Sequence, residues 1–137
     1  MIDLKLILAS HGKLAKGMKD TLEMISGKQA NVVAYEAYNT SPGDEFIEDI
    51  KKIVKNVKNE TIIIVTDVLG GSVNNELTQL LNSYQNVYLV TGMNFPLIIT
   101  LANYGENVRK KDILEAVETG KKGILLVNDL IPDITNK

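Results

Sequence analysis

Thr61-Ile-Ile-Ile-Val-Thr-Asp-Val-Leu-Gly-Gly-Ser72 is the stretch on which the fold turns. Thr61 to Thr66 is a short apolar run of β-branched residues, stopped by an acid and a double glycine, and reads as a strand buried on both faces. From Ser72 to Leu81 the apolar residues space out to the period of a helix. The two glycines let backbone amides come close to an anion, and the N-terminus of a helix favours negative charge. A strand that passes through such a turn into a helix is the first half of a βαβ unit.

The same switch of period recurs on both sides. Leu4 to Ala9, Asn31 to Ala37, Asn86 to Thr91 and Gly123 to Val127 read as further buried strands. Leu14, Met18, Leu22 and Ile25 form a helical stripe expected to face the sheet, closed by Gly27. Phe46, Ile50, Ile53, Val54 and Val57 form a second, opened by Ser41-Pro42 as cap and first helical position. Pro96 to Tyr104 is another helix, and Asp112 to Glu118 a last one, ended by Gly120. Lys51, Lys52, Lys55 and Lys58 fall among acids on the second helix and read as a solvated face. Alternating strands and helices predict an α/β, doubly wound fold with a mostly parallel five-stranded sheet, for which 2-1-3-4-5 is the commonest order. Residues 1–131 are expected to form one domain and 132–137 a tail.

Composition narrows the function. In 137 residues, 45% hydrophobic and 23% charged, there is material for one ordinary globular core. A net charge of −2 lacks the basic footprint of a nucleic-acid binder. The absence of cysteine removes disulfides, thiolate metal sites and cysteine nucleophiles, and a single histidine makes a zinc site unlike the common ligand sets. Neither a secretory signal nor an apolar run of roughly 20 residues is present, so a cytoplasmic location is expected, with any membrane role exercised through a partner.

In open parallel sheets ligands bind beyond the carboxyl ends of the strands, where the strand order reverses, here between strands 1 and 3. Strand 1 ends in Ser10-His11-Gly12, and strand 3 in Asp67. An aspartate on one imidazole nitrogen fixes the tautomer and puts the attacking lone pair on the other, which makes His11 and Asp67 the candidate catalytic pair. Gly70, Gly71 and Ser72 supply an anion cradle, with Ser72 as the natural helix cap and a hydroxyl donor. A phosphoryl group carries about −1.5 to −2. Asp67 repels it by roughly 3 kcal/mol per unit pair at about 6 Å and an effective dielectric near 20, and a helix terminus offsets up to about 2 kcal/mol of that. A phosphoryl held on His11 is thus bound but still transferable.

Rival chemistries fit less well. The chain has neither GxxxxGK[ST] nor GxGxxG, so nucleotide binding lacks its usual cradle. Gly70-Gly71-Ser72 is not the GxSxG elbow of a hydrolase triad. A phospho-aspartate receiver would need an acidic pair after strand 1, where Ser10 and His11 stand.

These residues resemble the mannose-class IIA domain of the bacterial sugar phosphotransferase system (PTS) over essentially the whole chain. The matching pieces are Leu6-Ile-Leu-Ala-Ser-His-Gly12, Ile64-Val-Thr-Asp-Val-Leu-Gly-Gly-Ser72, Thr91-Gly-Met-Asn-Phe-Pro96 and Ala116-Val-Glu-Thr-Gly120. The resemblance implies that His11 is phosphorylated, that Asp67 is its hydrogen-bond partner and that Ser72 touches the phosphoryl oxygens. It further implies a donor, the phosphohistidine carrier HPr, an acceptor histidine on a IIB subunit, and no cofactor or metal. Such a domain meets proteins and phosphate but never sugar. A homodimer is also implied, in which the last strand, near Gly123 to Val127 and antiparallel, joins the partner's sheet. Val73 departs from the proline that commonly follows the motif serine, whereas Asn75 matches. Asn94-Phe95-Pro96 either shapes the rim of the site or simply starts a helix. A domain serving dihydroxyacetone kinase, or a regulatory phosphohistidine domain, are the alternatives.

Overall fold

The computed structural model describes residues 4–37, 45–57, 60–68, 71–105 and 107–131. Four strands, β1 (Leu4–His11), β2 (Val32–Ala37), β3 (Thr61–Thr66) and β4 (Val87–Thr91), alternate with α1 (Leu14–Ser26), α2 (Glu45–Asn56), α3 (Gly71–Ser83) and α4 (Phe95–Ala102). Helix α5 (Lys110–Lys122) and a 3-10 turn (Val127–Leu130) follow. The strands pair in parallel in the order β2-β1-β3-β4, so β1 and β3 are neighbours at the reversal of chain direction, as expected.

The strand sequences alternate between the two faces of this sheet. Leu4, Leu6 and Leu8 of β1 and Ile63 and Val65 of β3 pack with Leu22, Leu97, Leu101, Ile113 and Ala116 of α1, α4 and α5. Ile7 and Ala9, with Ile62 and Ile64, pack on the other face with Phe46, Ile50 and Val54 of α2 and Leu77 and Leu80 of α3. Every residue of β3 is buried, which is what a continuous apolar run at the centre of a parallel sheet requires. Ile64 is fully buried. Ile64→Ala is therefore expected to cost about 2–5 kcal/mol of unfolding free energy. Urea denaturation measures it, and a loss below roughly 1 kcal/mol would contradict this core.

The helices start and stop for local reasons. Gly27, at φ 81°, ends α1 in a conformation that costs glycine little, and its amide donates to the carbonyl of Glu23. Asn94-Phe95-Pro96 starts a helix, as one of its two readings had it: the Asn94 side chain caps α4 by accepting from the Leu97 amide at 3.1 Å. The same side chain donates to the Gly120 carbonyl at 2.8 Å, tying α4 to α5.

One expectation is met in part and three need correction. Among the described residues the sheet has four strands, and Gly123 to Val127, expected to join a partner's sheet, belongs to none of them. Its apolar residues stand in solvent, with Ile124 77% exposed and Leu126 65%. An apolar run signals burial without saying against what, and a strand needs a hydrogen-bonded neighbour to exist. Leu14 and Ile25 are exposed, and the core stripe of α1 is Ala15, Met18 and Leu22, since helical spacing allowed either neighbour at the first position. Helix α5 runs through Gly120, where a Cβ would lie 3.0 Å from Leu97 Cβ and 3.2 Å from Asn94 Oδ1; glycine is there for the close crossing of α4, not as a stop. Finally, α3 starts at Gly71, which places Ser72 one residue inside the helix rather than at its cap. Ser41-Pro42, Lys58 and the tail from Pro132 lie outside the described residues.

Candidate functional site

The topology delivers His11 and Asp67 to one place. Strand β1 ends at His11, and the register Ala9↔Thr66 sets the residue after β3 beside the end of β1. Asp67 Oδ2 accepts from the His11 backbone amide at 3.0 Å and lies 3.0 Å from His11 Nδ1. Its other oxygen accepts from the Val68 amide at 3.0 Å. The His11 side chain is 56% exposed and that of Asp67 only 17%, so the ring faces solvent while the carboxylate sits behind it.

Partial burial pushes the Asp67 carboxyl up, but hydrogen bonds from the His11 amide and ring, with the imidazole's charge, outweigh it and hold the group below the usual carboxylate range. Asp67 is therefore ionised at neutral pH and can only accept. A ring nitrogen facing an acceptor-only group carries the proton, which places the imidazole lone pair on Nε2. The arrangement is an oriented nitrogen nucleophile with an anion behind it to stabilise positive charge on the ring.

The cradle residues follow in chain order. Gly70 lies outside the described residues. Gly71 and Ser72 open α3, in the first turn where amide groups have no intrahelical partner and are available to an anion. Among the described residues no group of three or more His, Cys, Asp or Glu side chains could hold a metal ion.

Three polar residues around the pair were not singled out from the sequence. Ser10, 2% exposed, accepts from the Ala15 amide at 2.6 Å and donates to the His11 carbonyl at 3.1 Å. Asn74, 4% exposed, donates to the Val68 carbonyl at 3.1 Å and so fastens the start of the loop after Asp67 to α3. Asn75, the residue matched by resemblance, is exposed. Thr66 donates to Thr91 at 2.9 Å across the ends of β3 and β4. Parity was the available signal: Ser10 lies on the face of Leu4, Leu6 and Leu8, and Asn74 on the stripe of Leu77 and Leu80, where a polar side chain must find a partner.

Comparison with known proteins points the same way. The family model described as "EIIA-man: PTS system fructose IIA component" matches residues 5–118. A PTS system fructose-specific EIIA component of Bacillus subtilis (strain 168) is 21% identical over 112 residues, covering 81% of this chain and 77% of that protein. The PTS system mannose-specific EIIAB component of Escherichia coli (strain K12) is 24% identical over 122 residues, 87% of this chain but 38% of the longer relative. Among solved structures, the PTS IIA protein associated with the fucose utilization operon from Streptococcus pneumoniae superposes with a TM-score of 0.80 at 25% identity, over 94% of this chain and 96% of its own.

Proposed function

The chain belongs to the EIIA-man family of PTS IIA components, and from that premise we propose that His11 is its phosphoryl acceptor, loaded by phosphorylated HPr and unloaded to a histidine of a IIB subunit during sugar uptake. The observation that carries this reading is the 3.0 Å contact between His11 Nδ1 and Asp67 Oδ2 on a ring that is itself solvent-exposed.

In the transfer, Nε2 of His11 attacks phosphorus in line with the donor nitrogen. The new N–P bond forms as the old one breaks, and the donor ring keeps the electron pair of the broken bond. Positive charge develops on the His11 imidazole, and the Nδ1 proton shares it with the Asp67 carboxylate. The opening turn of α3, with Gly71 and Ser72, and Gly70 before it in the sequence, receives the phosphoryl oxygens. Transfer to IIB reverses the same steps toward a different histidine. No cofactor enters this scheme.

The protein is proposed to act in the cytoplasm. No helix among the described residues is long and apolar enough to cross a membrane. A homodimer is part of the proposal, with the segment after α5 laid against the partner's sheet.

Incubation with phosphorylated HPr tests the reading. The expected product carries one acid-labile, alkali-stable phosphate, absent from His11→Ala and lost on addition of a IIB subunit. An alkali-labile phosphate that depends on Asp67, or none at all, would refute it.

A further inference from the structure

We propose that Ser10 is a positioning residue for phosphoryl transfer: its buried hydroxyl fixes the main chain of His11 so that the ring stays on Asp67. This rests on the reading of His11 as the phosphoryl acceptor.

The His11 main chain is held on both sides. Its amide donates to Asp67 Oδ2 at 3.0 Å, and its carbonyl accepts from Ser10 Oγ at 3.1 Å. The same Oγ accepts from the Ala15 amide at 2.6 Å, in the first turn of α1. Lys13, the residue at the cap position of α1, makes no side-chain capping bond. Ser10 takes that task from inside the sheet, and so fastens the turn between β1 and α1 to the strand that ends in His11. The turn needs a fastening. Gly12 follows His11 at φ 56°, in the left-handed region, and a glycine there leaves the chain free to rotate unless both flanks are tied.

A hydroxyl can donate and accept at once, whereas alanine does neither and a thiol does both weakly. Without the Ser10 bonds, the His11 carbonyl and the Ala15 amide lose that shared hydroxyl, and the Gly12 turn can let the ring drift from Asp67. Misplacement of a reacting group by about 1 Å can cost roughly 100-fold in rate. A partial drift corresponds to about tenfold.

The test is Ser10→Ala in the full chain. Steady-state transfer from phosphorylated HPr and the 15N spectrum of the His11 ring, which reports the tautomer directly, are read together. The expected result is a kcat lowered about tenfold, equal to about 1.4 kcal/mol, with KM for HPr within about twofold and a ring that mixes its two tautomers. In an Asp67→Asn background the same change should cost less than about threefold, because Ser10 acts through that pair. Ser10→Cys, close in volume and a weak donor, serves under the same criteria if the alanine variant does not fold. A folded variant with the wild-type tautomer spectrum, or the full tenfold loss persisting beside Asp67→Asn, overturns the proposal. Failure of the wild type to take phosphate on His11 is separate: it removes the carrier reading, while the tautomer spectrum of Ser10→Ala still decides whether Ser10 positions the ring.

Discussion

Asp67→Asn is expected to slow phosphoryl transfer to His11 by roughly 10²- to 10⁴-fold, the range lost when a positioned proton partner is removed from a histidine. The substitution keeps the shape of the side chain and reverses part of its hydrogen bonding. In the wild type all three neighbours, the His11 amide, His11 Nδ1 and the Val68 amide, meet carboxylate oxygens. An asparagine has one accepting oxygen and one donating nitrogen. Turned with nitrogen toward His11, it confronts the backbone amide with another donor and makes Nδ1 an acceptor, which moves the ring proton to Nε2 and removes the attacking lone pair. Turned the other way, it leaves the Val68 amide opposite a donor and puts a neutral oxygen where a charge should offset the growing imidazolium. Either rotamer loses transfer rate, and the fold loses about 1–3 kcal/mol for the mismatched donor. Rapid-quench transfer from phosphorylated HPr, alongside a thermal melt to confirm folding, measures both. A rate within tenfold of wild type would show that the carboxylate charge is not needed.

The same carboxylate sets a pH dependence whose sign follows from its lowered pKa. The folded state prefers the ionised form, so this stabilisation is present in full above the ordinary carboxylate value, about 3.9 for an aspartate. It is lost as pH falls through the lower, folded value. From neutral pH down to about 5 the contribution of Asp67 is constant, and acid unfolding should lose one protonation-linked component in Asp67→Asn.

Much of this was legible before any coordinates. The β3 run from Thr61 to Thr66 reads as a central strand, since its unbroken Ile62 to Val65 stretch has no polar face to show to water, and all of it is buried. Once β1 and β3 were placed side by side, the meeting of His11 and Asp67 followed from strand parity and length. The supporting shell was less visible, because Ser10 and Asn74 act through main-chain carbonyls, and a one-dimensional pattern does not show where a loop carbonyl points. Leu14 and Ala15 were interchangeable by helical spacing, and it is Ala15 that is buried. Gly123 to Val127 is apolar and exposed, and it joins no strand ladder among the described residues.

That segment supplies the other large expected effect: Leu125→Asp together with Leu126→Asp should turn the proposed dimer into a monomer. Ile124, Leu125, Leu126, Val127 and Leu130 are each 59–77% exposed, a density of exposed apolar side chains that marks an interaction surface. Strand β4 is an edge of the sheet, and an unpaired edge accepts a further strand. Beside it lies a groove of about 500 Å³ with Leu81 of α3, Val87 and Leu89 of β4, and Ile113, Leu114 and Val117 of α5 on its walls. Two-fold exchange would lay one protomer's apolar segment on the other's edge and groove, twice over. Burying an apolar side chain contributes about 1.5–3 kcal/mol, and association costs on the order of 4–15 kcal/mol, so the exposed residues of both protomers together can offset that cost. Two aspartates per protomer remove roughly 6–12 kcal/mol of that burial and add charges that cannot be buried unpaired. Sedimentation equilibrium at micromolar concentration should show a dimer for the wild type and a folded monomer for the double variant; a monomeric wild type, or a variant that still pairs, would rule out this use of the segment.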